Sequence, residues 1–153
     1  MPVLPFVKMQ GSGNDFVLLD NRCGLVPDAA KAGFAQRYCH RQLGIGADGV
    51  IFVEKDPELD FRWDFFNADG STAEMCGNGC RCVAVFARGR GIAQERMTFR
   101  TIAGPIRAEL VPGGARVQLM DATPPEEIRG LEVAGRRLDV FFLNTGVPHA
   151  VVP

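Results

Sequence analysis

The chain has 153 residues and 46% of them are apolar, a share large enough to fill a core and too large for a disordered chain. Seventeen basic residues against eighteen acidic ones leave a net charge of −1, so no long-range field draws it to nucleic acid or to an anionic membrane. Only Lys8, Lys31 and Lys55 are lysines, which leaves few candidates for Schiff-base chemistry. The longest apolar runs, at 82–87 and 140–143, are far too short for a membrane span, and the N-terminus lacks the charged leader and apolar stretch of a signal peptide. A cytoplasmic, reducing compartment is the expectation. The five cysteines, odd in number and with three of them at 76, 80 and 82, then read as free thiols.

Residues 3–9 and 16–20 read as strands separated by the loop Gln10-Gly11-Ser12-Gly13-Asn14-Asp15. Pro27-Asp28 opens a helix, with Asp28 placed to cap it, Phe34, Ala35 and Tyr38 on its apolar face and Gly44 closing the segment. Residues 49–54 read as a buried strand. Residues 59–67 alternate, with Phe61, Trp63 and Phe65 on one side and Asp60, Arg62 and Asp64 on the other. A turn follows at Asn67-Ala68-Asp69-Gly70-Ser71.

Residues 76–90 are different in kind. After Gly77-Asn78-Gly79 the sequence is apolar nearly all round a helix, so this helix belongs in the middle of a core, ended by Gly89 or Gly91. Strands resume at 96–102, 105–111 and 115–121, the last two joined by a turn at Pro112-Gly113-Gly114. Residues 122–127 make the best linker and divide a domain at 1–121 from the piece 122–153. Strands near 131–134 and 138–144 follow, and the final residues stop inside what reads as a strand. The expected fold class is α+β, a mixed sheet curled into a barrel-like layer around one central helix. Short turns between most strands weigh against a parallel βαβ fold.

The chemistry-bearing segment is Asn67-Ala68-Asp69-Gly70-Ser71 followed by Cys76-Gly77-Asn78-Gly79. It places a cysteine at the mouth of a helix, where unpaired N–H groups and partial positive charge make a thiol easier to deprotonate. Gly77 and Gly79 let a ligand approach the same backbone, so a carboxylate can bind there, and a base beside an anchored carboxylate suits chemistry at an α-carbon. The alternative is a buried cysteine before a glycine-rich turn.

A metal site built from Cys76, Cys80, Cys82 and His40 conflicts with the helix. Residues two apart point about 200° away from each other, so Cys80 and Cys82 read as core packing. Cys23 and Cys39 read as semi-buried thiols. Asn14 either hydrogen-bonds a polar substrate or braces its turn. The loop is not a Walker motif, and the glycines at 44–49 lack dinucleotide-binding order. His40 reads as exposed on the first helix, and His149 either tunes a thiol or caps its turn. Other classes of function are a cysteine hydrolase pairing Cys76 with a histidine, and a thiol-rich metal-binding module.

Five blocks in order, Lys8-Met9-Gln10-Gly11-Ser12-Gly13-Asn14-Asp15-Phe16, Gly44-Ile45-Gly46-Ala47-Asp48-Gly49, Phe66-Asn67-Ala68-Asp69-Gly70-Ser71, Cys76-Gly77-Asn78-Gly79-Cys80-Arg81 and Gly146-Val147-Pro148-His149, resemble the signature blocks of diaminopimelate epimerase. The resemblance covers essentially the whole chain but only the first half of the family's protein. It implies two similar α/β domains, each with a mixed sheet around a central helix, and a site between them; residues 122–153 would begin the second. It implies interconversion of LL- and meso-diaminopimelate, on the path to lysine and peptidoglycan, without pyridoxal phosphate, other cofactor or metal. One thiolate removes the α-proton and a second thiol returns one.

By that resemblance Cys76 is one of the two acid/base cysteines, Asn14, Asn67, Gly77 and Asn78 bind substrate, and His149 modulates the thiols. The implied partners are the small-molecule substrate and the missing C-terminal half, with no nucleic acid and no membrane; oligomeric state is left open, a homodimer included. Two residues depart from the family pattern: Val147 stands where an asparagine often contacts substrate, and Gly49 where some members carry glutamine. Both would suit a related amino-acid racemase. No second Cys-Gly-[Asn/Ser]-Gly block occurs in the chain, so on its own it is expected to be inactive as an epimerase.

Overall fold

A computed structural model describes residues 3–153. The chain forms two compact units, one ending at Gln118 and the other Leu119–Pro153. The first carries a seven-stranded sheet in the order β1-β2-β3-β4-β5-β6-β7, comprising β1 (Val7–Gly11), β2 (Asn14–Asp20), β3 (Gly49–Glu54), β4 (Phe61–Asn67), β5 (Arg96–Thr101), β6 (Gly104–Val111) and β7 (Gly114–Gln118). Two helices accompany it, α1 (Asp28–Tyr38) between β2 and β3 and α2 (Gly77–Gly89) between β4 and β5.

The sheet is mixed, as expected, and not a parallel βαβ fold, although two of its pairings are parallel crossovers. β2 pairs with β3 in parallel across α1, and β4 with β5 in parallel across α2, while every other pair in this sheet is antiparallel. The two connections long enough to carry a helix are the two that cross over.

Helix α2 packs against β1, β2 and β3 at one end of the sheet and against β6 and β7 at the other. A sheet whose two ends meet one helix must curl around it. The helix buries Gly79, Cys80, Cys82, Val83, Ala84, Phe86 and Ala87, but it is not apolar all round as expected: Asn78, Arg81 and Val85 are half-buried and Arg88 is exposed, a narrow polar stripe along one side. On the other side of the sheet α1 covers Val17, Leu19, Val50 and Phe52 with Ala35 and Cys39. Strand β3 is buried throughout, so its sequence is a continuous apolar run without alternation.

Several boundaries differ from expectation. The first strand begins at Val7, after Pro5, whose ring nitrogen cannot donate to a ladder. The six-residue loop at 10–15 shrinks to a two-residue turn, because Gln10 pairs with Asp15 and Gly11 with Asn14. Ser12 and Gly13 take positive φ, 56° and 86°, which matches the twist of the flanking strands. Asn14 therefore opens a strand rather than sitting in a loop. Pro27, not Asp28, is the N-cap of α1, and no side chain caps that helix. The Asp28 carboxylate instead accepts from Lys31 Nζ at 2.6 Å. His40 lies beyond the end of α1 and is exposed.

The second unit is an antiparallel sheet in the order β10-β9-β8, with β8 (Glu126–Val133), β9 (Arg136–Asn144) and β10 (Pro148–Val151). Strand β8 starts earlier than the sequence suggested, inside the expected linker. Gly130 sits in a register shift between Ile128 and Leu131 and donates its N–H to Asp139 Oδ1 at 2.8 Å. Ile128, Leu131, Val133 and Phe142 remain exposed.

Gly49 shows how tightly the first unit is packed. A Cβ there would lie 2.6 Å from Phe65 Cε2 and 2.7 Å from the Phe66 carbonyl oxygen. Gly49→Ala is expected to cost about 2–3 kcal/mol in urea unfolding, the upper part of the overpacking range. A loss below about 0.5 kcal/mol would mean that the Phe65 ring is free to move aside.

Candidate active site

Cys76 is the N-cap of α2, with extended backbone (φ −148°, ψ 115°), and its carbonyl accepts the Cys80 N–H at 2.8 Å to start the helix. The residue is half-buried, as are Gly77 and Asn78 beside it. No side chain caps this helix and its first turn holds no acidic residue, so the positive end of the helix is left uncompensated. Sequence reasoning put the cysteine at this point because Gly77-Asn78-Gly79 precedes an unbroken apolar segment.

The glycines divide their labour differently from the expectation. A Cβ on Gly79 would meet Ile51 Cδ1 at 3.2 Å and Trp63 at 3.4 Å, so Gly79 lets the helix lie close on the sheet and is buried away from any ligand. Gly77, by contrast, is half-buried at the helix mouth beside Cys76. Gly11 is a second close approach: its Cβ would lie 3.1 Å from the Asn78 carbonyl oxygen. That contact brings the β1–β2 turn over the first turn of α2.

The turn delivers Asn14 to the thiol. The Cys76 thiol donates to Asn14 Oδ1 at 3.5 Å, and Asn78 Nδ2 donates to the same oxygen at 3.5 Å. On its other side Asn14 Nδ2 donates to Asp48 Oδ2 at 2.6 Å. Arg41 joins this group, binding Asp48 Oδ1 at 2.7 Å and both oxygens of Asp15 at 2.9 and 3.1 Å. Hydrogen bonding from Arg41 holds the Asp15 carboxyl well below the usual carboxylate range, against the opposing effect of burial, and Lys8 adds to the lowering. Arg81, one turn along α2, donates to Asn78 Oδ1 and to Ser12 Oγ.

Cys76, Asn14, Gly77 and Asn78 therefore come together in one cluster. Asn67, half-buried at the end of β4, donates from Nδ2 to Ser71 Oγ at 3.0 Å within its turn. His149 lies in the second unit, where it is exposed and 3.0 Å from Thr145 Oγ1. Asp48, Arg41 and Arg81 join the cluster without having been singled out. The available signal was that Asp48 and Arg81 stand inside two of the five blocks that carry the resemblance, at 44–49 and 76–81.

The other thiols lie outside this arrangement. Cys80 and Cys82 are buried on α2, and burial pushes the Cys80 thiol up to about 12 and raises that of Cys82. Cys39, expected to be semi-buried, is fully buried, with its thiol pushed up to about 11 by burial, while Cys23 is exposed. His40 Nδ1 accepts the N–H groups of Gln42 and Leu43, whereas the side-chain hydrogen bond of Cys76 goes to Asn14, which does not favour a Cys–His hydrolase pair. Among the described residues, the group spaced to hold a metal is Asp28, Glu54 and Asp64, and it contains no thiol. The Lys31 ammonium already binds all three carboxylates.

A family model described as diaminopimelate epimerase matches residues 6–126. The chain belongs to the diaminopimelate epimerase family. It is 46% identical over 160 aligned positions to the diaminopimelate epimerase of Aquifex aeolicus (strain VF5), covering 98% of this chain and 57% of that protein. It is 38% identical to the diaminopimelate epimerase of Archaeoglobus fulgidus, with 97% of this chain and 58% of that protein covered. The chain thus spans little more than half the length of these curated relatives.

Among solved structures, a probable proline racemase from Agrobacterium radiobacter K84 superposes with a TM-score of 0.74 at 16% identity, covering 98% of this chain and 52% of that one. A PhzF-family phenazine biosynthesis protein from Bacillus anthracis gives 0.66 at 20% identity, covering 99% of this chain and 55% of that one. These likenesses bear out the fold, a family member's mixed sheet curled around one helix. No helix among the described residues is long and apolar enough to cross a membrane.

Proposed function

We propose that the chain supplies one face of a cofactor-independent epimerase that interconverts LL- and meso-diaminopimelate, with Cys76 as the group that exchanges the α-proton on that face. The observation that supports this best is the half-buried thiol at the uncapped mouth of α2. A substrate carboxylate on the Gly77 and Asn78 amides would place the neighbouring α-carbon within reach of that sulfur. When the α-proton leaves, charge spreads into the carboxylate, and the positive end of the helix stabilises it there. Asn14, Asn67 and Asn78 would hydrogen-bond the polar ends of the substrate, and His149 would modulate the thiols.

Inversion needs a second acid/base group on the opposite face. That group belongs to a second half, of which residues 122–153 would form the first strands, so this chain alone would not turn over. The reading makes the protein cytoplasmic, with a small amino acid as its substrate and no nucleic-acid or membrane partner. A sister activity of the same superfamily, acting on another amino acid, is favoured by one observation: the Phe65 ring fills the space where some family members carry glutamine.

Uptake of deuterium at the α-carbon, measured across amino acids on a protein extended through the second half, separates the two. Exchange into diaminopimelate is expected. Exchange into a different amino acid alone would replace the substrate named here, and turnover by the 153-residue chain by itself would overturn the half-site reading.

A further inference from the structure

We propose that Asp48 and Arg81 are positioning residues that hold Cys76 in its hydrogen-donating thiol form by fixing which way the Asn14 and Asn78 amides point. The inference rests on the reading of Cys76 as an acid/base cysteine and names the state in which that cysteine waits.

The two ends of an asparagine amide are alike in shape and opposite in hydrogen-bonding sense, so its neighbours decide its orientation. A carboxylate only accepts. Asp48 Oδ2 therefore takes the Nδ2 end of Asn14, at 2.6 Å, and leaves Oδ1 facing inward. A guanidinium only donates. Arg81 therefore takes the Oδ1 end of Asn78 and turns its Nδ2 inward. The inward ends meet at Asn14 Oδ1, 3.5 Å from Asn78 Nδ2 and 3.5 Å from Cys76 Sγ. An oxygen in that position accepts a hydrogen bond from a thiol and repels a thiolate.

Asp48 is itself anchored, by Arg41 at 2.7 Å and by the Asp15 N–H at 3.1 Å, so the orienting group does not wander. The charged groups around the cluster are Asp48, Asp15, Arg41 and Lys8 behind Asn14, Arg81 on α2 and the exposed Glu74 ahead of it. The helix amides favour the thiolate and the Asn14 carbonyl opposes them. The hydrogen bond to Asn14 must therefore be broken before Cys76 can act as a base.

The test is site-resolved alkylation of the chain with iodoacetamide, read by peptide mapping, with exposed Cys23 as internal reference. In Asp48→Asn the amide at 48 no longer demands a donor, Asn14 is free to turn, and Cys76 should alkylate about fivefold faster at pH 7, the worth of one ordinary hydrogen bond. At pH 10, above the ordinary range of thiols, the two proteins should react alike. In an Asn14→Ala background Asp48→Asn should add nothing. Arg81→Met, which releases Asn78, should move the pH 7 rate in the same direction.

Unchanged rates in both Asp48→Asn and Arg81→Met would overturn the proposal. So would a gain that persists at pH 10, which marks a loosened fold, or a full gain in the Asn14→Ala background. Alkylation needs no substrate, so this result stands apart from the deuterium-exchange test of the epimerase reading.

Discussion

Cys76→Ala, in a protein extended through the second half, is expected to lower α-proton exchange with diaminopimelate by about 10²–10⁴-fold, the range for removing a positioned acid or base. The loss should fall on kcat. The uncapped amides at the start of α2, which would anchor the carboxylate, are backbone groups and survive the substitution. Cys80→Ala is the informative companion. Cys80 lies one turn further along the same helix and is fully buried, with its thiol pushed up to about 12 by burial. It should lose stability through a cavity and keep its exchange rate. Exchange in Cys76→Ala within tenfold of the parent would remove Cys76 from the chemistry.

Lys31→Met is expected to destabilise the chain by about 3 kcal/mol, measured by urea unfolding at pH 7, the lower end of the cost of orphaning a buried charge. Lys31 is 1% exposed, yet its ammonium binds Asp28 and Glu54 at 2.6 Å and also Asp64. It also lies 5.5 Å over the Phe52 ring. Asp64 keeps Arg62 after the substitution, at 2.7 Å. Glu54 keeps only the Asn21 amide and is the group left without a countercharge. Adding Glu54→Gln should therefore recover much of the loss, and a double variant no better than Lys31→Met would locate the damage elsewhere.

The pH dependence has two limits. Burial opposes the charge on Lys31, but hydrogen bonds to Asp28, Asp64 and Glu54 outweigh it and raise the group above its ordinary 10.5. Its contribution is present in full below that pH and is lost only as strongly alkaline solution strips the folded ammonium. Asp28, hydrogen-bonded to Lys31, is lowered from 3.8. Its contribution is present above that value and disappears as the pH falls further. The deficit of the Lys31→Met variant should thus be level across neutral pH and shrink in acid.

The place of Cys76 was legible because a glycine-rich turn and an apolar helix are both local patterns. The central position of α2 followed from the breadth of its apolar face, although Asn78, Arg81 and Arg88 leave it a polar stripe. What the sequence concealed was long-range. The burial of Lys31 has no local sign, since two of its three partners come from β3 and β4. Asp48 reaches Asn14 through the parallel register of β2 and β3, which no local pattern announces. The glycine-rich loop at 10–15 misled as well, because Gly13 completes a tight hairpin. The expected cap at Asp28 failed because its carboxylate had a stronger partner in Lys31.

The ring of Phe65 against Gly49 constrains the order in which this lineage could change. A longer residue at 49 needs two concessions together, a smaller group at 65 and a slackened backbone at Phe66. Trimming position 65 first leaves a void beside Phe16, whose ring meets Phe65 edge-on at 5.7 Å. Either sequence of single steps passes through a weakened protein. A screen of one position at a time would score 49 as immutable, whereas a paired library would find glutamine there together with a trimmed neighbour.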